Sequence, residues 1–183
     1  MSDGGPVVSG VIDTDENGIA FVNYSQTFGQ TVDVVWEALN DPHSRLSFLS
    51  RADLRVGGQI AIRFGEDYEE VFTISEVEPP LRLTYVNVET HGHPAKYYTD
   101  SILLTEEQDT CCLSLRTPIG GVGRLQAGIA VGWHIWIENW RQLLNDPQLT
   151  KDELEASLQD RQREAVGPYV DQLKALYPDW PGE

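Results

Sequence analysis

Three tryptophans on one helical face constrain this chain more than anything else in it. Trp133, Trp136 and Trp140 recur at i, i+3 and i+7, so a helix would carry them along one side. Gly128 and Gly132 fall beside them, where side chains normally fill space. The apolar stripe continues through Leu125, Ile129, Leu143 and Leu144. A helix of that extent is about 30–35 Å long, enough to span a sheet. An aromatic stripe next to missing side chains points to a helix lying across a curved sheet, with room left between them. An enclosure of that kind suits a small apolar molecule held by a few polar groups.

Most of the chain before that helix reads as strand. A β-like run over 7–12 is followed by the turn signal Asn17-Gly18 and a strand from Ile19 to Phe28. Thr31 is placed to cap a helix over Val32–Leu39, whose Val32, Val35, Trp36 and Leu39 form a core-facing stripe. Pro42 opens a second short helix reaching Phe48. The strand pattern resumes at Leu54–Phe64, with Gly57-Gly58 as a turn or bulge. It continues through Glu70–Val77, Leu81–Glu89, Tyr97–Thr105 and Cys111–Thr117, the last two joined by the acidic turn Glu106–Asp109. Short connections between successive strands imply an antiparallel meander, and the element order is α+β. Beyond Asp146, Thr150 and Glu153 fit a capping box opening a helix with Leu154 and Leu158 on its apolar side. Gly167-Pro168 should interrupt that helix, leaving a second short one around Tyr169, Leu173, Leu176 and Tyr177. This tail is expected to dock on its own domain.

The charge balance removes some function classes. A net charge of −16 repels phosphate backbones and anionic membranes, so neither nucleic acid nor membrane is an expected partner. No apolar run approaches the ~20 residues of a membrane span, and the start lacks the basic and apolar regions of a signal peptide. Cys111 and Cys112 are neighbours that a strand would point to opposite faces, which suggests thiols in a reducing, cytoplasmic setting.

Four stretches then carry a resemblance. Val34-Val35-Trp36-Glu37-Ala38-Leu39, Arg55-Val56-Gly57-Gly58, Glu78-Pro79-Pro80-Leu81-Arg82-Leu83 with Thr84-Tyr85, and Ala130-Val131-Gly132-Trp133 stand in this order. Together they resemble the START-like (SRPBCC) superfamily, and within it the family named for the activator of heat shock protein 90 ATPase homologue, over roughly residues 18–145. The chain differs from that pattern at Thr31–Asp33, where Pro and Glu are common, and near Phe48, where Trp is common. The resemblance implies a helix-grip fold: a curved antiparallel sheet around a long C-terminal helix with a cavity between. It assigns residues 1–146 to a helix-grip domain and 147–183 to a helical C-terminal extension. It implies no shared catalytic set and no cofactor.

The cavity candidates are Phe64, Phe72, Tyr85, Tyr98, Leu113 and Leu115 from the sheet, and Gly128, Gly132, Trp133, Trp136 and Trp140 from the helix. Arg63, Glu70, Arg116, His134 and Asn139 join Tyr85 and Tyr98 as its polar candidates. No metal site is expected, since His91-x-His93 lacks the third ligand zinc needs. His134 reads as a hydrogen-bonded boundary residue. Glu69-Glu70 and Glu106-Glu107 read as solvated edges, because neighbours in a strand face opposite ways. No nucleophile elbow, phosphate loop or dinucleotide fingerprint is present. The reading is therefore a binding protein for a small hydrophobic molecule. A polyketide cyclase-like or hydrolase-like enzyme, and a stress-response partner that activates a chaperone ATPase, are its alternatives. A homodimer is left open.

Overall fold

The computed structural model describes residues 10–41, 49–64, 68–86, 99–119 and 124–181. Eight strands follow the antiparallel sheet order β1-β2-β8-β7-β6-β5-β4-β3. They are β1 Val11–Thr14, β2 Ala20–Phe28, β3 Leu49–Ala52, β4 Gln59–Phe64, β5 Tyr68–Glu78, β6 Arg82–Val86, β7 Thr99–Glu107 and β8 Thr110–Pro118. Helix α1 (Val32–Asn40) follows β2, and helices α2 (Arg124–Asn145), α3 (Lys151–Ala156) and α4 (Leu158–Leu176) follow the last strand. This is an α+β, helix-grip fold. By internal contacts the chain forms two compact units, Thr27–Pro118 and Met1–Gln26 with Ile119–Glu183.

The unit Thr27–Pro118 is a meander stitched by local turns. Gln108 and Asp109 both have positive φ, 50° and 67°, so β7 and β8 are joined by a two-residue turn whose twist suits the strands. Strand alternation then sorts the side chains. In β8, Cys111, Leu113, Leu115 and Thr117 are buried while Ser114 and Arg116 are exposed. The same alternation buries Ile102 and Leu104 of β7, Leu83 and Tyr85 of β6, and Phe72 and Ile74 of β5. Each such aliphatic side chain contributes about 1.5–3 kcal/mol by leaving water. Helix α1 packs on β3, β7 and β8 through the face that holds Val32, Val35, Trp36 and Leu39.

Two expectations change here. The run Leu54–Phe64 is strand only from Gln59, as β4; residues 53–58 form the turn expected at Gly57-Gly58, and the strand ahead of it is β3. Gly57 sits at φ +78°, and a Cβ on Gly58 would lie 2.1 Å from the Asp53 carbonyl oxygen, so the turn closes only with both glycines. It is locked to β5 by Gly57 N–H to Ile74 O and Ile74 N–H to Gly58 O, 2.8 and 2.9 Å. Thr31 occupies the N-cap of α1, but its side chain makes no capping bond. The short helix expected over Pro42–Phe48, the His91-x-His93 segment and the run over 7–9 lie outside the described residues.

The other unit joins the hairpin β1–β2 to the three later helices. Val11 faces Asn23 and Thr14 faces Ala20 across the hairpin, whose turn uses Gly18 at φ +77°. The Thr150–Glu153 capping box is complete. The break in the tail falls at Ser157, not at Gly167-Pro168, which continue inside α4. Proline forfeits one helical hydrogen bond there. Buried Tyr169 and Leu173, which follow it directly, offset that loss by holding α4 along α2 and β1. The tail thus docks within its own unit. None of the described helices is long and apolar enough to cross a membrane.

Candidate functional site

On the sheet, the register lines up three polar side chains on the largely apolar buried face, which also carries half-buried Glu70 of β5. Tyr85 of β6 pairs with Asp100 of β7. Ser101 pairs with Arg116, so the next position sets Asp100 opposite Thr117 of β8. Thr117 hydrogen-bonds the Asp100 carboxyl. The neighbouring row, Leu83, Ile102 and Leu115, is at most 1% exposed. Asp100 is 7% exposed, Thr117 2% and Tyr85 0%. Burial pushes the Asp100 carboxyl up to about 7; the Thr117 bond opposes this, and half-buried Glu70 adds to it. Burial also raises the Tyr85 hydroxyl well above its usual value, with Asp100 assisting. The Tyr85 ring stacks edge-on against Phe72 with centroids 5.2 Å apart. Its hydroxyl is buried with no hydrogen-bond partner among the described residues.

In the other unit, α2 gathers a second polar cluster against the tail. The Tyr169 hydroxyl lies 2.9 Å from His134 Nδ1 and accepts the Gly10 N–H at 2.9 Å. The Tyr24 hydroxyl donates to the Ala130 carbonyl. His134 Nε2 faces Glu138 at 3.8 Å, and Arg161 of α4 reaches Glu138 at 3.4 Å and Asn139 at 2.8 Å. His134 beside it, with Arg161, holds Glu138 below the usual carboxylate range. Burial raises both tyrosines. Both His134 ring nitrogens and the Tyr24 and Tyr169 hydroxyls thus face polar groups of this cluster.

The tryptophan stripe forms as read. Trp133 meets Trp136 with centroids 5.0 Å apart and Trp140 at 6.4 Å, both edge-on. Trp133 and Trp140 are buried and Trp136 is half-buried. Gly128 and Gly132 are exposed, and nothing lies within 4 Å of a Cβ added to either. Phe72, Tyr85, Leu113 and Leu115 are buried on the sheet. Tyr98 and the side chains of Phe64 and Arg63 lie outside the described residues. Arg116 is exposed, on the strand face opposite Leu115, and so leaves the polar set. His134 is more deeply buried than a boundary residue, and Asn139 is half-buried, serving Arg161. Glu69 is exposed and bonded to Ser50 and Arg51, whereas Glu70 is half-buried near Asp100, so only the first is a solvated edge.

Asp100 and Thr117 were not among the expected site residues. Their signal was present: Asp100 leads the alternation Asp100-Ile102-Leu104, and Thr117 ends Leu113-Leu115-Thr117. No group of three or more His, Cys, Asp or Glu among the described residues could hold a metal. Cys111 is buried and Cys112 half-buried, neither in a disulfide, and burial with Cys112 alongside pushes the Cys111 thiol up to about 11.

Residues 30–146 match the family model described as Activator of Hsp90 ATPase homolog 1-like protein. No curated protein matches the chain. Among solved structures, CalU16 from Micromonospora echinospora is similar in its solution form with TM-score 0.71 and 22% identity, over 96% of this chain and 99% of that one. Its crystal form gives TM-score 0.61 and 24% identity, over 87% and 97%. The Aha1 dimer from Colwellia psychrerythraea gives TM-score 0.61 and 13% identity, over 70% and 98%.

Proposed function

This chain belongs to the Activator of Hsp90 ATPase homolog 1-like family, and from that premise we propose that it binds a small, largely apolar molecule. One observation carries the reading. Gly128 and Gly132 stand one turn apart inside a 22-residue helix, exposed, with no described atom beyond the helix's own backbone and chain neighbours within 4 Å of an added Cβ. A glycine inside a helix costs about 1 kcal/mol relative to alanine. No contact among the described residues requires either glycine, and we read the space beside half-buried Trp136 as kept for a ligand.

A thermal-shift screen against lipids and aromatic metabolites tests this. Hits should raise the unfolding temperature of the wild type, and Gly132→Leu should weaken them about tenfold or more by filling the space. A screen with no stabilising compound, or hits indifferent to Gly132→Leu, would remove the reading. One observation favours a second reading, an enzyme acting on such a ligand. Asp100, with a pKa of about 7, is poised to exchange a proton near neutrality. A bound molecule recovered chemically unchanged after prolonged incubation would remove that reading. A chaperone ATPase partner rests on family membership alone, and turnover unaltered by the protein would exclude it.

A further inference from the structure

We propose that Tyr85 and Asp100, within the unit Thr27–Pro118, recognise a hydroxyl group at one end of a largely apolar molecule lying on their sheet face. This inference rests on the binding function above and names the chemistry of the molecule bound. Tyr85 is wholly buried, yet its hydroxyl has no partner among the described residues. Leaving a buried hydroxyl unpaired is costly, and native structures rarely tolerate it without a reason. Asp100 stands directly across the strand pair from it, and the register sets Thr117 next along the same row. A carboxyl group has about four acceptor positions, and the Thr117 bond engages one of them. The polar row therefore holds unused hydrogen-bonding capacity on both its central members.

The surroundings define the rest of the ligand. The next row is Leu83, Ile102 and Leu115, the one beyond it holds Leu104 and Leu113, and Phe72 flanks Tyr85. A molecule lying along these rows is apolar over most of its length and polar at one end. A hydroxyl suits that end better than the alternatives. It accepts from the Tyr85 O–H while donating to the Asp100 carboxylate, and when Asp100 is protonated it accepts from either. A ketone could satisfy both groups only when Asp100 carries its proton. A carboxylate would meet Asp100 and half-buried Glu70 in a chain of net charge −16. The ligand class is a neutral, largely apolar alcohol or phenol.

The test uses three matched probes on the full chain: 2-naphthol, 2-methylnaphthalene and 2-naphthoate, with dissociation constants read by ligand-observed NMR. The wild type should prefer the naphthol to the methyl compound by about three- to tenfold, the worth of one buried hydrogen bond, and bind the naphthoate most weakly. Tyr85→Phe removes one oxygen and little volume. It should reduce the naphthol preference severalfold, leaving only what the Asp100 bond supplies, with the methyl compound's affinity unchanged. Asp100→Asn should lessen the penalty on the naphthoate. Equal affinity of the wild type for naphthol and methylnaphthalene, or a preference undiminished in Tyr85→Phe, would overturn this inference alone. No binding of any probe would overturn the binding function, and this inference with it.

Discussion

Two buried clusters, each built around a tyrosine and a carboxylate, behave as opposites. In the tail cluster, the Tyr169 hydroxyl has two partners, Gly10 N–H and His134, and Glu138 is paired with Arg161. On the sheet, the Tyr85 hydroxyl has none among the described residues, and Asp100 has Thr117 beside it and Glu70 against it. The tail cluster binds α4 to α2 and β1, elements of one unit, and its hydroxyls and carboxylate are engaged in that task, with the buried Arg161 Nε left unpaired among the described residues. The sheet cluster joins strands already paired by their backbones, so its polar groups add no structural link. A buried polar network that is satisfied serves the fold. One left open serves something the fold must receive.

The largest expected effect tests the two carboxylates against each other through pH. Asp100 lies far above the ordinary carboxylate value of about 3.9. Its folded form thus holds a proton that the unfolded chain has lost, and stability falls as pH rises from about 4 to about 7. The displacement is worth on the order of 4 kcal/mol. Asp100→Asn cannot ionise, so denaturant titrations at pH 4.5 and 8 should show the variant gaining on the wild type at the higher pH. Glu138 works the other way. Its pKa is lowered, so its contribution is present above about pH 4.3 and lost as pH falls below it. Glu138→Gln should therefore lose most of its disadvantage in acid. If both variants shifted with pH in the same direction, the contrast between the clusters would fail.

A smaller effect separates the two tyrosines. Tyr169→Phe strands the Gly10 N–H and a His134 nitrogen, and should cost about 1–3 kcal/mol. Tyr85→Phe strands nothing and removes an unpaired buried hydroxyl, so the ligand-free protein should keep its stability or gain up to about 1 kcal/mol. Equal losses in urea titrations of the two variants would show that Tyr85 has a structural partner after all.

How far each cluster could be read from the residues follows from what each depends on. Alternation is local, so β2, β7 and β8 were legible within two residues of their ends, as was the buried face of α1. β3 was not, because Leu49-Ser50-Arg51-Ala52 has little strand character. It is held by pairing with β4 and by the Ser50 and Arg51 bonds to Glu69. The unbroken α4 was hidden for the same reason: local propensity puts a stop at Gly167-Pro168, and distant contacts of Tyr169 and Leu173 remove it. Asp100 was legible in principle, as the polar member of an apolar alternation, but a single carboxylate carries a weaker signal than the aromatic residues around it. That Tyr85 lacks a partner is a fact about three strands at once, and no single segment encodes it.

The smallest effect asks of α2 what the tyrosines ask of the clusters: whether a feature costly to the fold is kept for something outside it. Gly132→Ala adds one methyl group to a helix position with no protein atom within 4 Å of it. Helix propensity alone should then stabilise the ligand-free protein by about 0.5–1 kcal/mol, which for a chain of this size is about 1–4 °C in melting temperature. Gly58→Ala supplies the contrast, since its methyl would be driven into the Asp53 carbonyl and must destabilise. If Gly132→Ala also lowered the melting temperature, the strip beside Trp136 would already be filled by the protein itself. The glycine would then be explained by packing, and the helix would have no space to offer a ligand.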